Sequence, residues 1–425
     1  MTNPRIEVDL GKIRHNSRTA VGLLKARGVR VSAVTKAVRG HPAIARAMLD
    51  GGAAGLADAR LSNVKRLRRA GLVCPITLIR TPMLSQVDDV VRVCEASYNT
   101  QAALVVALAA AAIRQDTVHG IILMVEMGDH REGIMPQDLA DMAQLVVDTP
   151  GVTLRGIGAN FACLGGIAPT PAKMQALSIL AQGVEKQTGR ALQTVSGGNS
   201  ANLPLAVGNR SFGRINDLRL GEAILLGVDP LSGDQIAGMF TDAFTLVAEV
   251  IETDAEPACP PVSFADPVLA GIRLLPNTSP ITRLVLALGH QDTDATGLTM
   301  PARSSFVGAT SDHLVVGTKD KTYRAGSELR FQMTYAALMR AMAAPDIQID
   351  LRNDRPTPGV RETHGQGKRP ALEQICSSAT PEIPIRRLPI GKAHENKPVQ
   401  SAGCQTGNAA RQDIPHRQGH GRGRS

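Results

Sequence analysis

Between residues 30 and 221 the chain alternates short, apolar, β-rich runs with helical stretches. The runs lie near 31–37, 55–59, 76–81, 96–99, 120–127, 154–161, 193–197 and 217–221. Helical patterns fill the intervals, as at 41–51, 60–70, 101–114, 136–147 and 171–188. Pro42 suits a first helical turn and Gly51 a C-terminal cap. Apolar runs of this kind belong to strands covered on both faces. Eight βα units within about 190 residues predict an α/β fold with a closed (β/α)8 barrel, because an open sheet needs fewer units.

The rest of the chain reads differently. From about 238 to 335, Thr245–Ile251, Ile281–Leu288 and His313–Gly317 are strand-like and are separated by Pro- and Gly-rich breaks. They predict a β domain, to which Arg5–Leu10 adds a strand before a helix over 11–26. The expected division is therefore a barrel over 1–230, a C-terminal β domain over 231–350 and a tail over 351–425. The tail is rich in Pro, Gly, Arg, Gln and His, lacks periodicity and reads as solvated. Its abrupt onset resembles translation in a shifted reading frame.

With no Trp and three Tyr, the core must be aliphatic. The cysteines at 74, 94, 163, 259, 376 and 404 show no CxxC spacing. That points to a reducing cytoplasm and away from a disulfide framework or a zinc site. No run of about 20 residues is apolar and uncharged, and the first residues lack an apolar signal core, so no membrane partner is expected. Most of the formal net charge of +9 falls after residue 350, which leaves a nearly neutral body and no case for nucleic-acid binding. The tail has no aromatic residues on which bases could stack.

Barrels place their chemistry at the C-terminal ends of the strands, often with phosphate after the seventh and eighth. The first run ends in Val-Thr-Lys36. Burying a lysine is costly unless its amine is meant to be neutral and nucleophilic. Such lysines form Schiff bases with carbonyl compounds, pyridoxal 5'-phosphate (PLP) among them. The plainer reading is a lysine just past the strand that snorkels to water. Arg131 follows the fifth strand, and Asn160 ends the sixth. Ser196-Gly-Gly-Asn-Ser200 follows the seventh, and Arg219-Leu-Gly221-Glu222 closes the eighth. The glycine-serine loop offers amides and hydroxyls to a phosphate, and Gly221 permits close backbone approach. Taken singly, the loop reads equally as a tight turn and each arginine as a structural ion pair. Their coincidence at strand ends favours a phosphate-bearing cofactor.

The chain resembles the PLP-dependent alanine/ornithine racemase family, its ornithine branch most, over about residues 4–345. The matching segments are Ala33-Val-Thr-Lys-Ala37, Val125-Glu-Met-Gly-Asp-His-Arg-Glu-Gly133, Ser196-Gly-Gly-Asn-Ser200, Arg219-Leu-Gly-Glu-Ala-Ile-Leu-Leu-Gly227, Gly289-His-Gln-Asp-Thr-Asp294 and Ser311-Asp-His-Leu314. The resemblance implies a cytoplasmic, homodimeric amino-acid racemase acting by two-base α-proton transfer. Lys36 would carry PLP and serve as one base. Ser200, Gly221 and Glu222 would hold its phosphate, with Ser196, Asn160 and Tyr335 also at the cofactor. Arg219 would face the ring nitrogen and, unable to give up its proton, favour racemisation over transamination. Arg131 would stabilise developing negative charge.

Three departures stand out. No Tyr follows the lysine in Ala37-Val-Arg-Gly40, Asn160 replaces a ring-stacking histidine, and the family's Gly-Tyr-x-Asp segment reads Gly289-His290-Gln291-Asp292. His290 is thus the candidate second base, its neutral-range pKa suiting the work, or it is an ordinary loop histidine. Asp292, Asp294 and Asp312 are candidates for the terminal amine of an ornithine-type substrate, whereas an alanine-type pocket would be small. A metal-assisted PLP lyase of the D-threonine aldolase or D-serine dehydratase type is an alternative. Asp312-His313 is its only hint, and an adjacent pair is poor ligand geometry. A non-catalytic PLP carrier would lack the β domain.

Overall fold

A computed structural model describes residues 4–255 and 282–352. The expected tail beyond Arg352 and its reading-frame origin lie outside the described residues, as does part of the expected β domain. Strand β1 (Arg5–Asp9) leads into helix α1 (Leu10–Lys25), and Asp9 caps that helix by accepting the amide of Lys12 at 3.0 Å. Chain order then alternates β2 (Arg30–Val34), α2 (Pro42–Asp50), β3 (Gly55–Asp58), α3 (Leu61–Arg69), β4 (Ile76–Leu78), α4 (Val87–Val93), β5 (Ala96–Asn99), α5 (Ala102–Arg114), β6 (His119–Val125), α6 (Leu139–Asp148), β7 (Val152–Ala159), α7 (Pro171–Thr188), β8 (Thr194–Ser196), α8 (Leu203–Val207), β9 (Asp217–Leu220) and α9 (Glu222–Leu226).

Strands β2 to β9 are parallel neighbours, and β9 returns to β2, which closes the barrel. All eight expected runs are barrel strands. Residues of β3, β5, β6 and β9 are buried throughout, as strands between an inner face and a helical shell must be. Local chemistry sets the helices. Proline opens α2 and α7, Thr170 caps α7 by accepting the amide of Lys173, and Gly189 ends it in the left-handed region.

The second sheet contains β10 (Phe244–Ala255), β11 (Thr282–Leu286), β12 (Leu298–Thr299), β13 (Ser304–Ala309), β14 (Leu314–Thr318) and β15 (Glu328–Met333), in the order β12-β15-β10-β11-β14-β13. Helix α10 (Tyr335–Ala341) and strand β16 (Gln348–Arg352) follow. As expected, β1 joins this sheet, antiparallel to β10, and it also pairs with β16 in parallel. Leu351 and Arg352, read from sequence as the start of the tail, are the last residues of β16. Their backbone is held by β1, at Val8 and Asp9, although their side chains are exposed. Four short strands, β12, β13, β15 and β16, had not been expected.

Candidate active site

Lys36 follows β2 directly, in a single 3-10 turn over Lys36–Val38. That turn is anchored from below. Thr35 donates its hydroxyl to Asp58 at 2.6 Å, and Asp58 also accepts from the Arg60 amide at 2.8 Å and the Asn63 side chain at 3.0 and 3.2 Å. Thr35 and Asp58 are fully buried. Burial pushes the Asp58 carboxyl above the usual range, and these hydrogen bonds pull against it. Lys36 is half-buried and lines a cavity. Its amine lies 5.9 Å from the centroid of the Tyr335 ring.

A cavity of about 510 Å³ opens at this end of the barrel. Lys36, Arg131, Asn160, Ser200, Arg219, Gly221, Glu222 and Tyr335, eight of the residues expected at the site, line it together. The buried Arg219, on β9, donates to Ser196 Oγ at 2.6 Å, Tyr98 Oη at 3.0 Å, the Ala159 carbonyl at 2.7 Å and Asn160 Oδ1 at 3.4 Å. Its guanidinium carbon sits 4.8 Å from the centroid of the Tyr98 ring. Ser196 in turn donates to Asp217 at 2.6 Å. Ser196 does not line the cavity and acts on it through Arg219. Gly158 makes room for this arrangement, since a Cβ there would come within 3.0 Å of both Ser196 and Tyr98.

On the phosphate-type side, Ser200 Oγ accepts the amides of Gly221 and Ala223, each at 3.2 Å. A Cβ at Gly221 would meet Val34 at 3.2 Å and Tyr335 Oη at 3.4 Å, so this turn is as narrow as glycine allows. Burial pushes the Glu222 carboxyl up against the pull of the Lys36 charge, and burial likewise raises the Tyr335 hydroxyl.

Arg131 donates to Cys163 Sγ at 3.3 Å and lies 3.7 Å from Asp129 and 3.8 Å from Glu132. Burial disfavours the Asp129 charge, but bonds from Asn160 and the amides of Cys163 and Leu164 more than offset it, so its carboxyl stays low. Sequence reasoning overlooked Tyr98, Asp58, Asp129 and Cys163. Arg80 and Glu132, also overlooked, line the cavity with Cys163. One local signal existed, the Asp that ends the otherwise apolar Gly55-Leu-Ala-Asp58.

His290, Asp292 and Asp312 do not line this cavity. His290 is exposed, and its amide bonds to the Thr310 carbonyl at 2.9 Å. Asp292 accepts the Gly289 amide at 2.8 Å, Asp294 accepts from Thr296 at 2.8 Å, and Asp312 accepts from Gln291 at 3.0 Å and Ser311 at 2.6 Å. Each of these carboxylates accepts hydrogen bonds within its own turn or from the turn beside it. Among the described residues no three His, Cys, Asp or Glu side chains gather as a metal site would need, and no helix is long and apolar enough to cross a membrane.

Comparison with known proteins agrees with this geometry. Residues 8–229 match the alanine racemase N-terminal domain family. The chain belongs to the alanine racemase family. It is 31% identical over 353 residues to an ornithine racemase of Acetoanaerobium sticklandii, covering 82% of this chain and 99% of that protein. It is 32% identical over 363 residues to a lysine racemase of Thermotoga maritima, covering 82% and 98%. In fold it resembles the alanine racemase of Streptomyces lavendulae, with a TM-score of 0.67, 19% identity and coverage of 84% and 99%. A D-threonine aldolase of Filomicrobium marinum has the same fold, with a TM-score of 0.66, 14% identity and coverage of 83% and 91%. The D-threonine aldolase likeness, at 14% identity, is one of fold alone.

Proposed function

We propose that the protein is a PLP-dependent amino-acid racemase that exchanges the L- and D-forms of an ornithine- or alanine-like amino acid. One observation carries this reading: a strand-end lysine, a buried arginine and a narrow glycine-serine cradle converge on one cavity. They fit PLP as a donor set, with the Lys36 amine for its aldehyde, the Ser200 hydroxyl and the Gly221 and Glu222 backbone for its phosphate, and Arg219 for its ring nitrogen. PLP, when bound, draws electron density from the substrate α-carbon and makes its hydrogen acidic.

The chain's residues supply the rest. Lys36 holds the cofactor and moves a proton on one face of the α-carbon. Arg219 is pinned by four acceptors, so it offers a hydrogen bond without surrendering a proton. Arg131 orients the substrate carboxylate, steadied by the Asp129 charge 3.7 Å away. His290 handles the proton on the other face from a partner subunit. Its exposure in a β-domain loop outside its own chain's cavity supports a homodimer, as do the exposed Leu84, Met135 and Leu164. The scattered cysteines support a cytoplasmic setting. Racemisation is favoured over a lyase reaction because the full-length relatives at 30% identity or more are racemases.

The test is a chiral assay of the PLP-loaded protein with alanine, serine, ornithine, lysine and arginine, together with borohydride reduction and peptide mapping. Racemisation of at least one, with the label on Lys36, is expected. No racemisation of any of them, or a label on another lysine, refutes the proposal.

A further inference from the structure

Among the described residues, one carboxylate of the cavity feels the Lys36 charge but has no hydrogen-bond or ion-pair partner. Among the described residues only two acidic side chains line it, Glu132 and Glu222. Glu132 has local partners, the Thr81 amide at 3.3 Å and Arg131 at 3.8 Å. Glu222 has none, since among the described residues its carboxylate accepts no hydrogen bond and makes no ion pair. It follows Gly221 directly, where the Tyr335 hydroxyl lies close to the turn, and Glu222, Tyr335 and Lys36 all line the cavity. A half-buried carboxylate without a partner is costly, and its raised pKa reflects that cost.

In the racemase reading the cavity's cations are largely committed: Lys36 to the cofactor, Arg219 to the ring and Arg131 to the substrate carboxylate. What Glu222 lacks is a cation that arrives with the substrate. We propose that the Glu222 carboxylate receives the side-chain ammonium of a diamino acid, so that the cavity selects ornithine- or lysine-type substrates over alanine. A neutral side chain would leave Glu222 unpaired. An acidic one would repel it and would have to turn to Arg80, which also lines the cavity. A charge-assisted bond of this kind adds both strength and discrimination, because an analogue lacking the ammonium leaves a buried acceptor unmet.

This inference rests on the racemase reading, and the experiment separates the two. Holoenzyme kcat/KM is measured for L-ornithine, L-lysine, L-alanine and L-glutamate with the wild type, Glu222→Gln, Glu222→Asp and Glu132→Gln, with PLP occupancy read by absorbance. Binding of 1,4-diaminobutane, which has no α-carboxylate, is followed by calorimetry. The wild type should prefer a diamino acid. Glu222→Gln should cut the ornithine-to-alanine ratio about 100-fold, mostly through KM, and weaken diaminobutane at least about tenfold. Glu222→Asp should recover much of both. A ratio unchanged in Glu222→Gln, a fall confined to Glu132→Gln, or a wild-type preference for alanine or glutamate overturns the inference and leaves the racemase reading standing. Absence of all racemisation overturns that reading and the inference with it.

Discussion

Asp58 touches no substrate, yet the turn that presents Lys36 hangs on it. Replacing it with alanine removes the acceptor of the Thr35 hydroxyl, the Asn63 amide and the Arg60 amide at once. Thr35 and Asn63 are buried, so neither finds water. Each orphaned buried donor costs about 1–3 kcal/mol, and the partly exposed Arg60 amide less. Relief from burying the carboxylate returns part of that cost, so Asp58→Ala should lose about 3 kcal/mol, a large share of a domain's typical stability. Asp58→Asn keeps the shape and the oxygen that serves Arg60 and Asn63 but strips the Thr35 hydroxyl of its acceptor, so it should lose about 1–2 kcal/mol, less than the alanine variant. Urea unfolding with unchanged m-values measures both. Borohydride-reducible cofactor on Lys36 reports the turn, and it should fall in Asp58→Ala and persist in Asp58→Asn. If Asp58→Ala stays within about 1 kcal/mol of wild type, or if Asp58→Asn is as damaging, the hydrogen-bond network is not what holds the turn.

Arg219→Glu should lower racemisation by about 100-fold or more and produce a long-wavelength absorbance band with substrate, because a carboxylate lets the ring nitrogen keep a proton; an unchanged spectrum and rate would place Arg219 away from the ring. His290→Ala should leave PLP bound and preserve α-deuterium exchange from the enantiomer served by Lys36 while exchange from the other collapses. Wild-type exchange from both would make His290 a bystander. Burial lowers the pKa of His119 to about 4, so the unfolded chain takes up a proton that the folded one refuses as pH falls from about 6.5 to 4. Stability should therefore drop across that window by about 3 kcal/mol more in wild type than in His119→Gln, and equal losses in urea titrations at pH 7 and 4 would refute the assignment.

The barrel was legible because its signals are local. Apolar runs of strand length, prolines at helix starts and glycines at helix ends repeat within windows of a few residues, and each element answers to its own window. The same locality placed Lys36, Arg131, Ser200, Arg219 and Gly221 at strand ends, and closure of the barrel then had to bring those ends together. The short strands were harder to see. In β15 the alternation of Leu329, Phe331 and Met333 is present but brief, and in β16 the side chains are mostly exposed, so its ladder to β1 leaves no hydrophobic trace.

Sequence by itself determined the barrel and the family and nominated Lys36 for the cofactor, because all three readings follow from periodicity and from motifs that are contiguous along the chain. Tertiary structure decided which charges meet. Tyr98 and Arg219 are 121 positions apart, yet they pack within the same barrel interior. Cys163 reaches Arg131 from the loop after β7, 32 positions along the chain. His290 and the aspartates near it were singled out by motif, and hydrogen bonds tie their turn to the 310–313 segment, outside the residues that line the cavity. Glu222 read as a backbone contributor, and among the described residues its carboxylate lines the cavity without a hydrogen-bond or ion-pair partner. Electrostatic partnership depends on distance through space, and a linear sequence does not carry that distance until the fold is closed.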